Sequence, residues 1–403
     1  MTLDVLGTLV AASLVLLLGR KLVAKSTFLK TYSIPEPVVG GLLVALLLLA
    51  LHSFANIKVQ FDSSLQGPLM MAFFATIGLN ANLASLKAGG RTLALFLGVV
   101  LGLLILQDAI GLVMAKLMGL DPLIGLLGGT ISLSGGHGTG AAWGRVFAEQ
   151  HGLAAATEIA IACATFGLIL GGLIGGPVAG FLVKRVKQPL PGVQKDVPAD
   201  DMPLSFEQPK AVQLITAQAF IEALALIAIS LSVGTMFANQ LAGTAFELPT
   251  FVCVLFVGVL LSNGLSLLVG YKIFERAILV LGNVSLSLFL AMALMSLKLW
   301  DLASLALPVL LILAVQAVVM ALYAVFVTFR VMGSNYDAAV LSAGHCGFGL
   351  GATPTAIANM QAVTDRFGPS HLAFLVVPMV SAFFIDIANA IVIKLFLALP
   401  IYN

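Results

Sequence analysis

Long apolar runs follow one another along almost the whole chain, and they constrain its fold more than any other feature. Of the 403 residues, 60% are hydrophobic and 9% are charged, whereas about a quarter of the residues in a soluble domain are charged. A membrane-spanning helix needs about 20 mostly apolar residues, because no water is present in the hydrocarbon layer to satisfy an exposed backbone. The sequence therefore predicts an all-α integral membrane protein that crosses a lipid bilayer many times.

About ten of these runs predict transmembrane helices, with five on each side of the middle of the chain. The predicted spans are 3–18, 38–51, 69–83, 92–115, 157–183, 212–237, 249–268, 277–297, 306–329 and 371–399. Two further stretches, 122–142 and 338–358, are apolar but rich in Gly, Ser and Thr, which disfavours a continuous helix. We expect each of these two to be a re-entrant segment or a broken helix.

The distribution of Lys and Arg predicts the orientation, because cytoplasmic loops carry an excess of positive charge. With the N-terminus outside and both glycine-rich stretches re-entrant, 15 of the 20 basic residues are cytoplasmic and 5 are outside. The outside set is Lys58, Lys116, Arg145, Lys298 and Lys394. If stretch 122–142 crossed the membrane completely, Lys184, Arg185 and Lys187 would face outward, which the charge rule disfavours. Both termini are therefore predicted to lie outside.

A polar stretch at 184–210 interrupts the apolar pattern near its middle, with five prolines and charges of both signs. It predicts a cytoplasmic linker between an N-terminal repeat, 1–183, and a C-terminal repeat, 211–403. Landmarks such as Gln107 and Gln316 recur across it at a separation of about 210 residues, which indicates an internal repeat. Because each half has an odd number of spans, the second copy is inverted, and inverted repeats with interrupted segments are typical of secondary transporters.

Two alignments of the glycine-rich stretches remain open. A gap-free register pairs Gly135 with Gly351, whereas a rival register pairs His137 with His345.

The first glycine-rich stretch has six glycines in the thirteen residues 128–140. Glycine lets the backbone approach a solute, and an exposed helix N-terminus carries about half a positive charge that suits a carboxylate. Unwound carbonyls and the hydroxyls of Ser132, Ser134 and Thr139 suit a hard cation such as sodium. The second stretch offers the same groups, and Pro354 favours a helix start. The pattern predicts transport of a small anionic solute, with two helix starts that clasp a dicarboxylate.

These arguments give two sets of candidate residues. The predicted substrate-binding residues are Ser134, Gly135, Gly136, His137, Gly138, Thr139, Gly140, Arg145, Gly347, Gly349, Gly351, Thr353 and Thr355. The predicted sodium-binding residues are Ser132, Asp108, His345, Asp386 and Asn389. Sodium is the expected coupling ion, and we expect no organic cofactor.

Ionisable residues inside the predicted spans are few, and each costs at least about 2.5 kcal/mol at the bilayer centre. Asp386, which is followed by Asn389, is the favoured cation ligand, and Asp108 is next; a helix-packing hydrogen bond is the alternative for both. Glu158 is interpreted as a helix-start residue and Glu222 as a contact to a neighbouring helix. For His137, the alternative to ligand binding is a structural role. For Arg145, the alternative to ligand binding is to anchor the segment at the membrane interface.

Other features have simpler interpretations. The glycines of the 171–176 run are expected to allow close helix packing. Cys163, Cys253 and Cys346 show no paired spacing and are expected to be small buried side chains. The net charge of +2 argues against nucleic acid as a partner.

Three stretches resemble the bacterial glutamate:sodium symporter family. They are Ser-Gly-Gly-His-Gly-Thr-Gly-Ala-Ala from Ser134, Ala-Gly-His-Cys-Gly-Phe-Gly-Leu-Gly-Ala-Thr-Pro-Thr-Ala from Ala343, and Glu-Leu-Pro-Thr-Phe-Val-Cys from Glu247. The resemblance runs nearly end to end. It implies sodium-driven uptake of L-glutamate across the bacterial inner membrane, two pore-loop-like segments from inverted halves, and a homodimer with a moving transport part and a fixed scaffold.

Three alternatives remain at this point. A related symporter for a hydroxy-acid or another dicarboxylate is the most serious of them. An ion channel would use the glycine-rich loops as a filter, but such channels usually assemble several copies around an axis. An intramembrane enzyme would need a nucleophile and a base within reach, and His345 beside Cys346 is its one hint. We expect a transporter rather than an enzyme.

Overall fold

The structure is a computed structural model that describes residues 2–31, 34–55, 59–81, 90–186, 215–244, 248–271, 273–296 and 305–401. Most of the predicted linker at 184–210 lies outside these described residues, as do Lys58 and Lys298 of the charge count.

The described residues are almost entirely helical, and we number the main helices in chain order. They are α1 (Val5–Lys25), α2 (Glu36–Ala55), α3 (Gln66–Asn80), α4 (Gly90–Leu117), α5 (Pro122–Ile131), α6 (Gly136–Gln150), α7 (Ala156–Val183), α8 (Ala217–Leu241), α9 (Thr250–Leu268), α10 (Glu275–Met295), α11 (Ala306–Val331), α12 (Tyr336–Leu350), α13 (Thr353–Phe367) and α14 (His371–Met379 and Ile385–Leu397, joined by a π-turn). A short helix at Thr27–Thr31 follows α1. Strand β1 (Thr2–Leu3) pairs in parallel with β2 (Gln60–Phe61).

Seven of these helices are long and apolar enough to cross a membrane: α1, α4, α7, α8, α9, α10 and α11. The two parts of α14, which meet at a bend of 48°, make an eighth span if they are counted together. The prediction of a multi-pass all-α membrane protein is therefore confirmed. The predicted span 38–51 lies within α2, whose part Glu36–His52 is a shorter apolar helix. The described part of the predicted span 69–83 lies mainly in α3, which is 15 residues long.

Close backbone approaches at glycines assemble a first body from α1–α3 and α8–α10. A Cβ atom added to Gly19 of α1 would collide with the Glu36 carbonyl oxygen of α2, and one added to Gly78 of α3 would collide with the Leu255 carbonyl oxygen of α9. A Cβ atom on Gly234 of α8 would lie 2.6 Å from the Cα atom of Val254 in α9. These helices therefore pack with their backbones almost in contact.

A second body consists of α4–α7 and α11–α14 and packs in the same way. Gly125 of α5 lies against the backbone of Gly111 in α4, and Gly167 of α7 lies against the Leu350 carbonyl oxygen of α12. A Cβ atom on Gly171 would lie 3.0 Å from the Gly347 carbonyl oxygen. The prediction that the 171–176 run allows close helix packing is confirmed at Gly171.

Helices α12 and α13 form an antiparallel hairpin, with a two-residue turn at Gly351 and Ala352 between them. Gly347 lies against the backbone of Ala356, and the Asn359 side-chain amide donates to the Ala343 carbonyl at 3.3 Å. Contacts therefore pair residues at equal distances from the turn. Both outer ends of this hairpin lie on the same side of the bundle.

Helices α5 and α6 also double back, although they pack on their neighbours rather than on each other. The direction of each follows from a chain of antiparallel contacts: α5 with α4, α4 with α11, α11 with α12, α12 with α7, and α7 with α6. The direction reverses at each of these five contacts, and because five is an odd number, α5 and α6 run in opposite directions. The break between them covers 132–135, and Gly129 before it has non-helical dihedral angles (φ −102°, ψ −137°).

Candidate functional site

The tips of the two hairpins meet inside the second body, and a glutamine from α4 joins them. The Gln107 side-chain amide donates to the Gly349 carbonyl at 2.7 Å. The Ser134 hydroxyl donates to Gln107 Oε1 at 2.7 Å and lies 3.2 Å from the Gly349 carbonyl oxygen. Gln316 of α11 donates to the Gln107 backbone carbonyl at 2.7 Å. Two predicted substrate-binding residues from different halves, Ser134 and Gly349, are thus brought together.

The second helix of each hairpin begins at the tip with an uncapped N-terminus. Helix α6 begins after Gly135 and α13 after Ala352, and neither start has a side-chain N-cap hydrogen bond. Gly136 has φ of +67°, and a Cβ atom there would lie 3.6 Å from the Gly351 carbonyl oxygen, so this position requires glycine. Two helix N-termini, with their unpaired N–H groups and positive dipole ends, therefore lie close together.

Asp108 of α4 holds the break of the first hairpin. Its carboxylate accepts from the Thr130 backbone N–H at 2.8 Å and from the Thr130 hydroxyl at 2.9 Å. The Thr130 carbonyl in turn accepts from the Asn389 side-chain amide of α14 at 3.1 Å and from the Gly135 N–H at 2.9 Å. Two predicted sodium ligands, Asp108 and Asn389, thus meet at one residue that the sequence analysis did not single out.

Several oxygen atoms of this region are buried and lack a hydrogen-bond partner in the part of the chain that the structure describes. They include Ser132 Oγ, Asn389 Oδ1, Thr355 Oγ1 and Ser381 Oγ. Buried polar groups in native proteins are almost always paired, so these hydroxyl and amide oxygens are candidates for ligand contact. Oxygen donors of this kind are those that hard cations prefer.

Asp386 lies one turn before Asn389 in α14 and is half-buried. Among the described residues it makes no hydrogen bond or ion pair. The helix-packing bond to Asn389 that the sequence allowed is therefore not formed.

His137 makes a structural contact rather than pointing into the tips. Its Nε2 lies 3.0 Å from the Thr165 hydroxyl of α7, and that hydroxyl donates to the Ile161 carbonyl at 2.8 Å. His137 Nε2 is therefore the donor. Two glycines that follow it face neighbours: Gly138 faces Phe73, and Gly140 faces Ser132 and, in α7, Ala160.

The remaining predicted positions of the second hairpin are divided between its tip and its packing surfaces. Thr353, at the tip, donates to the Ser381 carbonyl of α14 at 3.2 Å, and Gly347 lies between the two helices. His345 faces α11, where its Nδ1 lies 2.9 Å from the Thr328 hydroxyl, and its ring contacts three aromatic rings. The structure thus places His345 away from the hairpin tips.

Arg145 also lies away from the tips, at a cavity near the C-terminal end of α6, where its Nε pairs with Glu149 Oε1 at 2.7 Å. Glu222 accepts hydrogen bonds from Tyr271 and Gln218, which confirms its interpretation as a contact to a neighbouring element. Cys163, Cys253 and Cys346 are free and buried, as the sequence predicts.

Comparisons with known proteins agree on one family. The sequence profile described as "Sodium/glutamate symporter" matches residues 1–369. A protein of Escherichia coli K12 described by the same words is 69% identical over 401 residues, which cover 99% of each chain. A Haemophilus influenzae protein with that description is 54% identical over 387 residues, or 96% of this chain and 95% of its own length.

Proposed function

This chain belongs to the sodium/glutamate symporter family, and from that premise we propose that it is a sodium-coupled symporter that carries L-glutamate inward across the bacterial inner membrane. The observation that carries the proposal beyond the family is the meeting of two uncapped helix N-termini at the glycine-rich tips. Such helix ends suit the two carboxylates of glutamate.

The substrate site consists of the tip residues of both hairpins. The N–H groups at the starts of α6 and α13 bind carboxylate oxygens, and the hydroxyl of Ser134 and the unpaired hydroxyl of Thr355 orient the solute. Glycines at 135, 136 and 351 allow the backbone to approach it. The chemistry is transport without covalent change, so the chain is a transporter and not an enzyme.

The sodium site lies beside these tips, between the first hairpin and α14. Ser132 Oγ and Asn389 Oδ1 supply unpaired oxygens, and Asp108 positions the Thr130 turn through two hydrogen bonds. Asp386, one turn from Asn389, supplies negative charge. Sodium bound here stabilises the first tip, and because Ser134 of that tip is bonded to Gly349, it completes the glutamate site.

The chain consists of two inverted repeats, 1–183 and 211–403, which are joined by a cytoplasmic linker at 184–210. Each half supplies seven of the helices numbered above, α1–α7 and α8–α14, in the same order, with a hairpin at the fifth and sixth places. Each half also supplies three helices to the first body and four to the second. Both hairpins are re-entrant from opposite faces of the membrane, and both termini are periplasmic.

Alternating access results from movement of the second body against the first, as in an elevator. Within each body, helix backbones touch at glycines, and side-chain hydrogen bonds between helices, where both partners are described, join helices of the same body. Contacts between the bodies include apolar ones, such as Phe73 and Leu286 against Gly138 and Trp143 against Phe251. Such an interface can slide, and the first body is then the scaffold through which a homodimer forms.

A sodium jump with purified protein in liposomes tests the proposal. We expect saturable glutamate uptake that depends on sodium, with glutamate a stronger competitor than hydroxy-acids. Stronger competition by a hydroxy-acid would favour the alternative substrate class, and conductance that does not saturate would favour a channel.

The Asp386→Asn variant tests the sodium site separately. We expect it to lose most sodium-dependent uptake, because the half-buried carboxylate supplies charge near the cation. Asp62→Asn, which changes a half-buried loop acid bonded to Ser64 and far along the chain from α14, is the matched control. Unchanged sodium dependence in Asp386→Asn would remove this residue from the site.

A further inference from the structure

A cavity of about 200 Å³ lies between the two bodies, away from the hairpin tips. The second body contributes Arg145, Thr157 and Glu158 from α6 and α7, and the first body contributes Gln66 and Ser296 from α3 and α10. Arg145 is nine residues beyond Gly136 in the same helix, or about 13 Å along its axis. The cavity is therefore separate from the site at the tips.

One guanidinium nitrogen of Arg145 is buried at this interface without a hydrogen-bond partner among the described residues. This atom is Nη1, whereas Nε pairs with Glu149. The Nη1 atom also lies near the backbone of Gly67, at the start of α3 in the first body. A buried charged donor without a partner is energetically unfavourable, so an acceptor from solution would bind here favourably.

Two helix N-termini border the same cavity. Helix α3 begins at Gln66 and α7 begins at Ala156, both are at least 15 residues long, and neither has a side-chain N-cap hydrogen bond. Their positive ends add to the attraction that Arg145 exerts on a carboxylate. The hydroxyl of Thr157 supplies a further hydrogen-bond donor, whereas the Ser296 hydroxyl donates to the Met292 carbonyl at 2.8 Å and can accept from a ligand.

The cavity is not a simple anion site, because Glu149 and Glu158 also line it. An inorganic anion would meet these carboxylates unfavourably. An amino acid with a carboxylate at one end and an ammonium group at the other would satisfy both signs of charge.

We propose that this cavity is an access site that binds glutamate from the periplasmic side before the solute reaches the hairpin tips. The inference rests on the proposed function for the identity of the solute and the side of the membrane. Because its walls come from both bodies, the access site forms in this arrangement and is lost when the second body moves.

Uptake kinetics in membrane vesicles of both orientations test the access site. In Arg145→Gln we expect the KM for glutamate to rise about tenfold in right-side-out vesicles, with the maximal rate unchanged. In inside-out vesicles we expect the KM to stay the same. Arg185→Gln is the matched control, because Arg185 is exposed at the far end of α7 with its guanidinium 3.9 Å from the Phe181 ring centre; its KM should not change on either side.

A KM that rises equally in both orientations would place Arg145 in the central site and overturn the proposal, and a KM that rises in neither would overturn it as well. If Arg145→Gln fails to reach the membrane, Ala293→Leu fills the cavity from α10 without a change of charge. The same one-sided rise in KM is expected there, and its absence would have the same consequence.

A binding measurement separates this proposal from the proposed function. Equilibrium dialysis of the purified wild type without sodium should show weak glutamate binding that Arg145→Gln abolishes. Binding without any sodium-driven uptake would sink the symporter proposal and leave the access site standing. Sodium-dependent uptake without this binding would overturn the access-site proposal and leave the symporter proposal standing.

Discussion

The two glycine-rich hairpins contain the same residue types but are held in place in different ways. In the second hairpin α12 and α13 pack directly on each other, with Gly347 against the backbone of Ala356 and a tight turn between the helices. In the first hairpin α5 and α6 pack on α4 and α7, and the chain turns at Ser134 and Gly135 before α6 begins. The second hairpin therefore has a direct contact between its own two helices in addition to its contacts with neighbours, whereas the first is held mainly by its neighbours.

From this difference we infer that the first hairpin is the one that responds to the coupling ion. The break of the first hairpin is fixed by polar side chains from α4 and α14, Asp108 and Asn389, which both bind Thr130. A cation that binds among these oxygens changes the stability of the first tip directly. The second tip receives the effect through the Ser134 and Gln107 contacts with Gly349.

Removal of Asp108 should have the largest effect on uptake and stability, because it removes a contact by which a neighbouring helix holds the first hairpin. Asp108→Ala leaves the Thr130 N–H and hydroxyl without their acceptor in a buried place, and each unsatisfied group costs about 1–3 kcal/mol. We expect sodium-dependent uptake to be lost and the melting temperature in detergent to fall by several degrees.

For this variant, the position at which the structure becomes accessible is a more specific measurement than the loss of uptake or stability. A cysteine at Thr130 or Ser132 should become reactive to a polar thiol reagent in the Asp108→Ala background, while a cysteine at Thr353 should react as before. Thr328→Val, which removes the buried partner of His345 in the second hairpin, is the control. Equal exposure of both tips in Asp108→Ala would show that the hairpins do not differ in this way.

A variant at the helix–helix contact of the second hairpin should have an intermediate effect. In Gly347→Ala the new Cβ atom would lie 2.5 Å from the Cα and N atoms of Ala356, so the hairpin must open, and such overpacking typically costs about 1–3 kcal/mol. We expect a lower melting temperature and slower uptake.

Gly176→Ala is the matched control for this prediction, because nothing lies within 4 Å of the added Cβ atom there. Alanine favours a helix over glycine by about 1 kcal/mol, so this variant should be neutral or slightly more stable. A Gly347→Ala protein as stable as Gly176→Ala would mean that the second hairpin is not held by its own packing.

The sequence predicts the residue types that form the site better than it predicts how these residues are arranged. Apolar length and charge bias predict the helices, and glycines with hydroxyls predict two interrupted segments, because these are local properties of the chain. Asp108 and Asn389 could be singled out since a polar group in an apolar run must have a partner. That partner, Thr130, could not be found, because its contacts join residues 22 and 259 positions apart.

Packing between helices also decides where the predicted residues lie. His345 and Gly349 are one turn apart in α12, yet His345 contacts aromatic rings and Thr328 while Gly349 contacts Gln107. Arg145 shares α6 with the tip glycines but lies at another cavity. Helical periodicity gives the face of a residue but not the helix that covers that face, so sequence alone could not separate these roles.

The contact between the tips should give the smallest effect, and it tests whether the two hairpins act together. Ser134→Ala removes a hydroxyl that bonds to Gln107 and lies near Gly349, a loss of about 1 kcal/mol. We expect the KM for glutamate to rise about fivefold, since 1 kcal/mol corresponds to a factor of about 5, with little change in melting temperature. Ser230→Ala is the control, because this buried serine donates to the Leu226 carbonyl of its own helix at 2.9 Å. A double-mutant cycle with Gln107→Leu should show a coupling energy of at least about 0.5 kcal/mol. Strict additivity of the two changes would mean that Ser134 and Gln107 do not transmit sodium binding from one tip to the other.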